Sequence, residues 1–122
     1  MRSTPPRDKG SKGEVLAEQW LRKRLGAEIL ERNFHSPFGE IDLVVRLEGC
    51  LAFVEVKTRE SVSWGSPEES VTETKKERLR KSALFYLMRR GYDPERTAFR
   101  FDVVAIHLHG RKTEIRHYPS AF

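Results

Sequence analysis

A carboxylate and an ammonium interrupt an apolar segment near the middle of the chain, at Glu55 and Lys57. Residues 51–57 are otherwise rich in strand-forming side chains, and such a run predicts a strand buried on both faces. Side chains two residues apart on a strand point to the same face, so Glu55 and Lys57 are expected side by side. Burying such groups is costly unless each has a partner. The conflict between pattern and composition marks a candidate functional site.

A second acidic residue, Asp42, lies in the alternating segment that precedes this strand. Residues 40–47 are predicted to form a strand with two distinct faces, Ile41, Leu43, Val45 and Leu47 on one and Glu40, Asp42, Val44 and Arg46 on the other. The dipeptide Glu48-Gly49 predicts a tight turn into the next strand, and therefore an antiparallel hairpin. Asp42 is thus expected near Glu55, close to the end of the partner strand.

These residue types suit metal-assisted hydrolysis of a phosphodiester. Two converging carboxylates can bind a hard cation, and a metal-bound water is a stronger nucleophile. A lysine beside the metal can orient or help deprotonate that water and can neutralise the phosphate. Asp42, Glu55 and Lys57 supply these groups, and the backbone carbonyl of Val56 is a further candidate ligand for Mg²⁺ or Mn²⁺. The alternative is a solvent-facing Glu55–Lys57 pair with Asp42 as a surface acid, which adds little stability.

The elements that must position these side chains are predicted from periodicity and from turn residues. Helices are predicted at 11–25 and 71–90, each followed by a glycine. Strands are predicted at 28–34, 40–47, 50–57, 97–108 and 114–118. The order αβββαββ predicts an α/β fold with a mixed sheet of five strands flanked by helices. The helix between the third and fourth strands favours a parallel pairing of those two strands.

The segments outside these elements are polar or rich in proline. Residues 1–10 are interpreted as a disordered basic arm, which leaves 11–122 as a single domain. Residues 58–66 are predicted to form a polar loop, and 67–69 to begin a short helical turn. Three aromatic residues in the predicted loops are candidate exposed apolar groups: Phe34, Phe38 and Trp64.

Composition restricts the class of protein. The 122 residues include 23 Lys and Arg against 18 Asp and Glu, giving a net charge of +5 that is compatible with a polyanionic partner. Cys50 is the single cysteine, so an intrachain disulfide is excluded and a reducing compartment is the simpler interpretation. The apolar run 83–88 is far shorter than a membrane span, and the N-terminus lacks the apolar core of a signal peptide. A cytoplasmic protein without a membrane partner is predicted.

Four motifs resemble those of the YraN family of bacterial proteins. They are GEVLA at 13–17, GEIDLV at 39–44, FVEVKTR at 53–59 and RFDVV at 100–104. The resemblance extends from about residue 12 to residue 118. That family is similar to the archaeal Holliday junction resolvases and belongs with the restriction-endonuclease-like, PD-(D/E)xK nucleases.

The resemblance implies a restriction-endonuclease-like fold and a role for each matching residue. Asp42 and Glu55 are implied as metal ligands, Lys57 as the catalytic lysine, and Glu14 as the helix-borne acid that completes the metal site. Lys75 matches the basic or amide position on the following helix. The Pro-Asp dipeptide of the superfamily is absent, because Ile41 precedes Asp42. Resolvase-like members also lack it, and the departure leaves the type of substrate open.

Glu14 and Glu40 each have a second interpretation. The spacing of Glu14 from Ser11 is that of a capping box, which explains Glu14 without catalysis. Against this, Glu14, Ala17 and Leu21 share the side of the helix that faces the sheet, which favours the implied role. Glu40 is a candidate for a residue that supports the metal ligands without binding the metal, although it is also explained as a solvated acid next to the turn.

Three polar residues on the fourth strand are predicted to be structural. His107 and His109 share one face, but without a third ligand in view they are interpreted as partly exposed structural histidines. Asp102 is assigned no chemistry and is expected to anchor an arginine, such as Arg100 or Arg59.

A basic surface is predicted beside the candidate site. Four cations are predicted to bind nucleic acid: Arg59, Lys75, Lys76 and Arg78. No element resembles a groove-reading helix, so contacts to phosphates rather than to base edges are expected. The alternative is a solvated helix face whose cations pair with Glu73 and Glu77.

The leading hypothesis is a Mg²⁺- or Mn²⁺-dependent endonuclease that acts on DNA with structure selectivity or none, rather than with sequence specificity. The rival hypothesis is a non-catalytic nucleic-acid-binding or assembly module that retains the nuclease fold. Related resolvases act as dimers, so the resemblance is also compatible with a homodimer.

Overall fold

Two helices and five strands follow one another in the predicted order αβββαββ in a computed structural model, which describes residues 12–60 and 71–122. The elements are α1 (Lys12–Leu25), β1 (Glu28–Ser36), β2 (Gly39–Leu47), β3 (Cys50–Arg59), α2 (Glu73–Arg89), β4 (Phe99–His109) and β5 (Lys112–Tyr118). The predicted α/β class with a mixed five-stranded sheet is confirmed.

The strands lie in the sheet in the order in which they follow in the chain, from β1 to β5. Neighbouring strands are antiparallel except for β3 and β4, which are parallel. A parallel pair needs a long crossover, and α2 lies in the connection between these two strands. The predicted hairpin of β2 and β3 and the parallel central pair are both confirmed.

Each face of the sheet is covered by one helix. Leu79, Ala83, Tyr86 and Leu87 of α2 pack on one face, and Ala17 and Leu21 of α1 pack on the other. Phe53 belongs to the first cluster and its neighbour Val54 to the second, at 2% and 1% exposure. The central strand β3 is therefore buried on both faces, as its continuous apolar run predicts.

β3 continues beyond its predicted end. Thr58 and Arg59, predicted to lie in a loop, pair with Ile106 and His107 of β4. The parallel partner strand supplies hydrogen bonds that hold these polar residues extended, and this tertiary contact overrides their local sequence. The end of β3 thus projects past the end of the β2–β3 ladder.

The expected alternation fails at Ile41 and Phe34. Ile41 was predicted on the face of Leu43, but it packs with Phe34 in the α2 cluster, and Phe34 is buried rather than exposed. Asn33 precedes Phe34 and has a φ of +48°, a left-handed conformation that interrupts β1. Because Phe34 pairs with Ile41, the interruption turns both side chains to the α2 face.

His107 also differs from expectation, since it is buried at 1% exposure. The predicted arm at 1–10, the cap residue Ser11, Trp64 and the helical turn at 67–69 lie outside the described residues. Within the residues that the structure describes, neither helix has the length and apolar character needed to span a membrane.

Candidate active site

The hairpin of β2 and β3 brings Asp42 to the backbone of β3. The last paired residues of the ladder are Leu43 and Val54, one step before Asp42 and Glu55. At that point the N–H of Val56 donates a hydrogen bond of 2.8 Å to Oδ2 of Asp42. A carboxylate thus replaces the backbone acceptor where the strands separate, and the predicted proximity of Asp42 to the Glu55 strand segment is observed.

The backbone carbonyl of Val56 points to the side of β3 on which Asp42 lies. In an antiparallel pair, one residue directs its N–H and its C=O towards the same neighbouring strand. Since the N–H of Val56 meets Asp42, its carbonyl oxygen also points towards β2, beyond the end of the paired region. The oxygen is therefore available on the side where Asp42 lies.

Glu55 is buried between two lysines. Its residue exposure is 6%, and its Oε1 lies 3.7 Å from Nζ of Lys57 and 2.6 Å from Nζ of Lys75. A buried carboxylate needs such partners to offset the loss of hydration. The side-by-side placement of Glu55 and Lys57 is observed, and α2 adds a second ammonium from across the site.

The pKa of Asp42 is raised to about 7. Burial is the largest cause, the negative charge of Glu55 is the next, and Glu14 adds a smaller effect in the same direction. The hydrogen bond from Val56 and the charge of Lys75 oppose the rise without cancelling it. Three carboxylates therefore share a region in which negative charge is only partly compensated, the electrostatic condition that a bound cation relieves.

The pKa values of Lys57 and Lys75 shift in opposite directions. Burial lowers the pKa of Lys57, and a hydrogen bond with Lys75 and the charge of that ammonium lower it further. Burial also disfavours the charge of Lys75, but its hydrogen bonds to Glu55 and Lys57 outweigh it and raise the pKa. Lys57 is consequently the easier of the two lysines to deprotonate, and Lys75 is the harder.

Asn33 connects Glu14 to the rest of the site. Its Nδ2 donates hydrogen bonds to Oε1 of Glu14 at 3.0 Å and to Oε1 of Glu40 at 2.9 Å. The sequence interpretation missed Asn33. Asparagine is one of the few residues that adopt a left-handed conformation readily, so an Asn within a predicted strand was the available signal.

Close packing at Gly13 holds the start of α1 against β3. A Cβ atom at Gly13 would lie 2.0 Å from Oγ1 of Thr58, so a side chain at this position requires Thr58 or the start of α1 to move. This contact places the first turn of α1, and with it Glu14, at the projecting end of β3. Gly13 therefore contributes to the site through its lack of a side chain.

The donor set is compatible with a hard divalent cation. Within residues 12–60 and 71–122, no three Asp, Glu, His or Cys side chains form a ready-made metal-binding group. Mg²⁺ commonly takes only one or two carboxylates and completes its octahedron with other oxygens, mostly water. Asp42 and Glu55 with the carbonyl of Val56 fit this pattern, and Glu14 is a further oxygen donor in the same region.

Of the four predicted nucleic-acid-binding cations, Lys75 and Arg78 lie next to each other on α2, and the other two lie elsewhere. Lys75 belongs to the carboxylate cluster, and Arg78 lines a cavity one turn further along α2. Arg59 lies at the end of β3, where its charge also lowers the pKa of Lys57. Lys76 faces away, with Nζ 3.2 Å from Glu73 and 5.7 Å from the ring centroid of Phe122, and its side chain is only 12% exposed.

Asp102 lies in a separate polar cluster. It accepts hydrogen bonds from Nε of Arg100 at 3.0 Å and from the backbone N–H of Ser120 at 3.0 Å, and it contacts His117 at 2.7 Å. Burial acts to raise the pKa of Asp102, but these hydrogen bonds outweigh it and lower the pKa. Asp102 thus anchors Arg100, one of the two expected arginines, and also fastens the C-terminal segment.

Comparison with known proteins places the chain among bacterial relatives. The model of the uncharacterised protein family UPF0102 matches residues 13–106. A UPF0102 protein of Syntrophomonas wolfei is 48% identical over 95% of this chain and 98% of its own length. A UPF0102 protein of Aliivibrio salmonicida is 46% identical, covering 86% of this chain and 85% of its own. Pyrococcus furiosus SfsA in complex with Ca²⁺ is 14% identical, with a TM-score of 0.38 over 88% of this chain and 60% of that one.

Proposed function

The chain belongs to the uncharacterised protein family UPF0102, and we propose that it is a metal-dependent endonuclease that hydrolyses phosphodiester bonds in DNA. The observation that carries the proposal is the convergence of Asp42, Glu55 and Lys57 where the β2–β3 ladder ends. Asp42 has a raised pKa there, and Lys57 has a lowered one. Perturbed titrations in a cluster of complementary groups are typical of catalytic sites.

Asp42, Glu55 and the carbonyl oxygen of Val56 would hold a Mg²⁺ or Mn²⁺ ion, with Glu14 as an additional oxygen donor. When bound, such an ion makes a water molecule more nucleophilic and stabilises charge on the phosphate. Burial, and after it the repulsion from Glu55 and Glu14, raises the pKa of Asp42, and a cation at these oxygens would relieve that repulsion.

Lys57 is the proposed proton acceptor and orienting group for the attacking water. A lysine acts as a base only when its neutral form is accessible, and burial together with Lys75 shifts Lys57 in that direction. Lys75 keeps its charge beside Glu55 and is positioned to neutralise a phosphate oxygen. The two lysines therefore divide the roles of base and electrostatic stabiliser.

The proposed activity is structure-selective or non-specific. The cations near the site, Lys75, Arg78 and Arg59, are point charges or guanidinium groups suited to phosphate contacts, which carry no sequence information. Both helices cover faces of the sheet with their apolar sides, so neither is free to enter the major groove as a recognition helix.

The test is a cleavage assay on supercoiled, single-stranded and branched DNA with Mg²⁺, Mn²⁺ or EDTA. Asp42→Asn, Glu55→Gln and Lys57→Met should each lower the cleavage rate at least ~100-fold. Glu28→Gln is the matched control, because Glu28 is an exposed strand carboxylate that pairs with Arg46 at 3.5 Å. Undiminished nicking by all three site variants would contradict the assignment.

One observation favours the rival function, a non-catalytic nucleic-acid-binding or assembly module. Nζ of Lys75 lies 2.6 Å from Glu55, so an ammonium already neutralises one of the two proposed ligands. DNA binding that persists in EDTA, with no product under either metal and no Mn²⁺ binding in calorimetry, would support that module and reject the endonuclease.

A further inference from the structure

A cavity of about 360 Å³ lies beside the candidate active site, between the start of β2 and the first turns of α2. Its walls include Gly39, Glu40, Thr72, Thr74, Lys75, Arg78, Leu79 and Ser82. Lys75 lines this cavity and also contacts Glu55, so the cavity adjoins the carboxylate cluster at Lys75.

A second cavity, of about 550 Å³, continues along the same helix. Its walls are formed by Phe38, Glu73, Thr74, Glu77, Arg78 and Lys81. Thr74 and Arg78 line both cavities, so the two are adjacent along α2 and are considered together. We call the pair the α2 groove; it leads from Lys75 past Arg78 to Phe38 and Lys81.

Two of the cations that line the α2 groove are not paired with its acids. Glu73 and Glu77, which also line it, pair with cations that do not, Lys76 at 3.2 Å and Arg80 at 3.9 Å, and Glu40 accepts a hydrogen bond from Asn33. In the part of the chain that the structure describes, Arg78 and Lys81 have no carboxylate partner. These two cations are therefore available to an anionic ligand.

An exposed aromatic ring ends the groove. Phe38 is 45% exposed in the turn between β1 and β2, and Nζ of Lys81 lies 5.9 Å from its ring centroid. An aromatic face next to cations is the combination with which proteins bind single-stranded nucleic acid, the bases stacking on the ring and the phosphates meeting the cations.

The length of the groove along α2 matches a short stretch of nucleic-acid strand. Thr74, Arg78 and Lys81 are separated by four and three residues and so lie on one side of the helix. They span about 10 Å along the axis, roughly the rise of three stacked nucleotides. A strand in the groove would run from Phe38 towards Lys75 and present its next phosphate to the Glu55 cluster.

We propose that the α2 groove binds a single-stranded stretch of nucleic acid, with Arg78 and Lys81 on its phosphates and Phe38 stacked on a base. The role of the groove as a substrate-binding site rests on the proposed endonuclease function. It specifies a substrate that contains an unpaired strand. A continuous duplex keeps its base faces inside the stack, so it offers nothing to Phe38.

The test measures fluorescence anisotropy of a labelled oligothymidylate with the full-length protein in EDTA. The double variant Arg78→Gln/Lys81→Gln should weaken binding at least about tenfold and lower the slope against log salt by about 0.7 per lost contact. Phe38→Ala should weaken it about fivefold or more. Arg24→Gln/Arg96→Gln is the charge-matched control, because Arg24 is exposed near the end of α1 and Arg96 is 88% exposed in the turn before β4.

Unchanged affinity in the groove variants, or an equal loss of affinity in the control, would contradict single-strand binding in the α2 groove. So would tighter binding of a matched duplex than of the single strand, or equal binding of polyglutamate, which would indicate an acidic peptide instead. All of these measurements are made without metal. If the variants lose binding as expected but the protein does not cleave DNA in Mg²⁺ or Mn²⁺, the endonuclease is rejected and the single-strand site is supported. If the protein cleaves DNA but the variants bind as the parent does, the single-strand site is rejected and the endonuclease is supported.

Discussion

The N–H of Val56 donates a 2.8 Å hydrogen bond to Oδ2 of Asp42, so one backbone group fixes a carboxylate whose pKa is about 7. This contact lowers the pKa of Asp42 but cannot offset burial and the charge of Glu55. The folded chain therefore retains a proton on Asp42 at a pH at which the unfolded chain has lost it.

Asp42→Asn should stabilise the metal-free domain at alkaline pH. Because the folded pKa exceeds the unfolded value of 3.8, the stability that Asp42 contributes is complete below about pH 4 and is lost as the pH rises through 7. Asparagine keeps an oxygen for the Val56 N–H and removes the charge. Allowing for solvent screening at this half-buried position, we expect the variant to gain about 2 kcal/mol at pH 8 relative to pH 4.

Urea unfolding in EDTA at pH 4 and pH 8 measures this difference. Glu28→Asn, at an exposed carboxylate, controls for the loss of one negative charge from a basic protein. A difference between Asp42→Asn and the parent that does not change with pH would show that Asp42 is already ionised in the folded state at low pH.

Mn²⁺ affinity should rise with pH up to about pH 7 and level off above it. A metal bound to Asp42 must displace its proton, so the association constant is expected to increase up to about tenfold per pH unit below the pKa. Calorimetry in two buffers of different ionisation enthalpy measures the released proton directly. An affinity that is flat from pH 5.5 to 8 would contradict a metal ligand Asp42 with a pKa of about 7.

The pair of Lys75 and Glu55 should be strongly coupled in stability. Removing Lys75 alone leaves Glu55, at 6% exposure, with only Lys57 at 3.7 Å. We expect Lys75→Met to cost about 2 kcal/mol and the double variant Lys75→Met/Glu55→Gln to cost less than the sum of the single changes, by about 1 kcal/mol or more. The cycle is measured by urea unfolding, with Arg46→Met/Glu28→Gln as the comparison, because the side chains of that pair are 45% and 49% exposed. Strict additivity at Lys75 and Glu55 would contradict the contact.

The hairpin half of the site was predictable from the sequence because its determinants are local. Glu48 and Gly49 adopt φ values of +55° and +73°, the left-handed pair that a two-residue hairpin turn requires. Once that turn is placed, counting back along both strands brings Asp42 to the Glu55 region. The motif resemblance added Glu14 and Lys75, which local patterns could not connect to the hairpin.

The remaining features depend on tertiary packing. The contact of Lys75 with Glu55 depends on how α2 is rotated on the sheet, which the packing of Tyr86 and Leu87 against the apolar face determines. The burial of Phe34 and Ile41 together follows from the backbone of Asn33. A period-two pattern cannot contain such an interruption, so the alternation predicted for β2 fails at Ile41.

Asn33→Gly should separate the role of the Asn33 side chain from that of its backbone. Glycine adopts a φ of +48° without strain, so the variant should fold with a melting temperature within a few degrees of the parent. It lacks the amide that donates to Glu14 and Glu40, so Glu14 is no longer held at 3.0 Å. We expect Mn²⁺ affinity in calorimetry to fall roughly tenfold.

Asn33→Ala provides the opposite comparison, since alanine removes the same amide and also strains the left-handed backbone by about 1–2 kcal/mol. If Asn33 positions Glu14, both variants lose Mn²⁺ affinity to the same extent, although only the alanine variant loses stability. If Asn33 matters only for the course of β1, the glycine variant keeps the parent's affinity, and the Asn33 amide does not position Glu14 for the metal. Because Mn²⁺ affinity and stability are measured separately, the two variants distinguish two roles of Asn33. One is to position a metal ligand, and the other is only to shape β1 beside the three carboxylates.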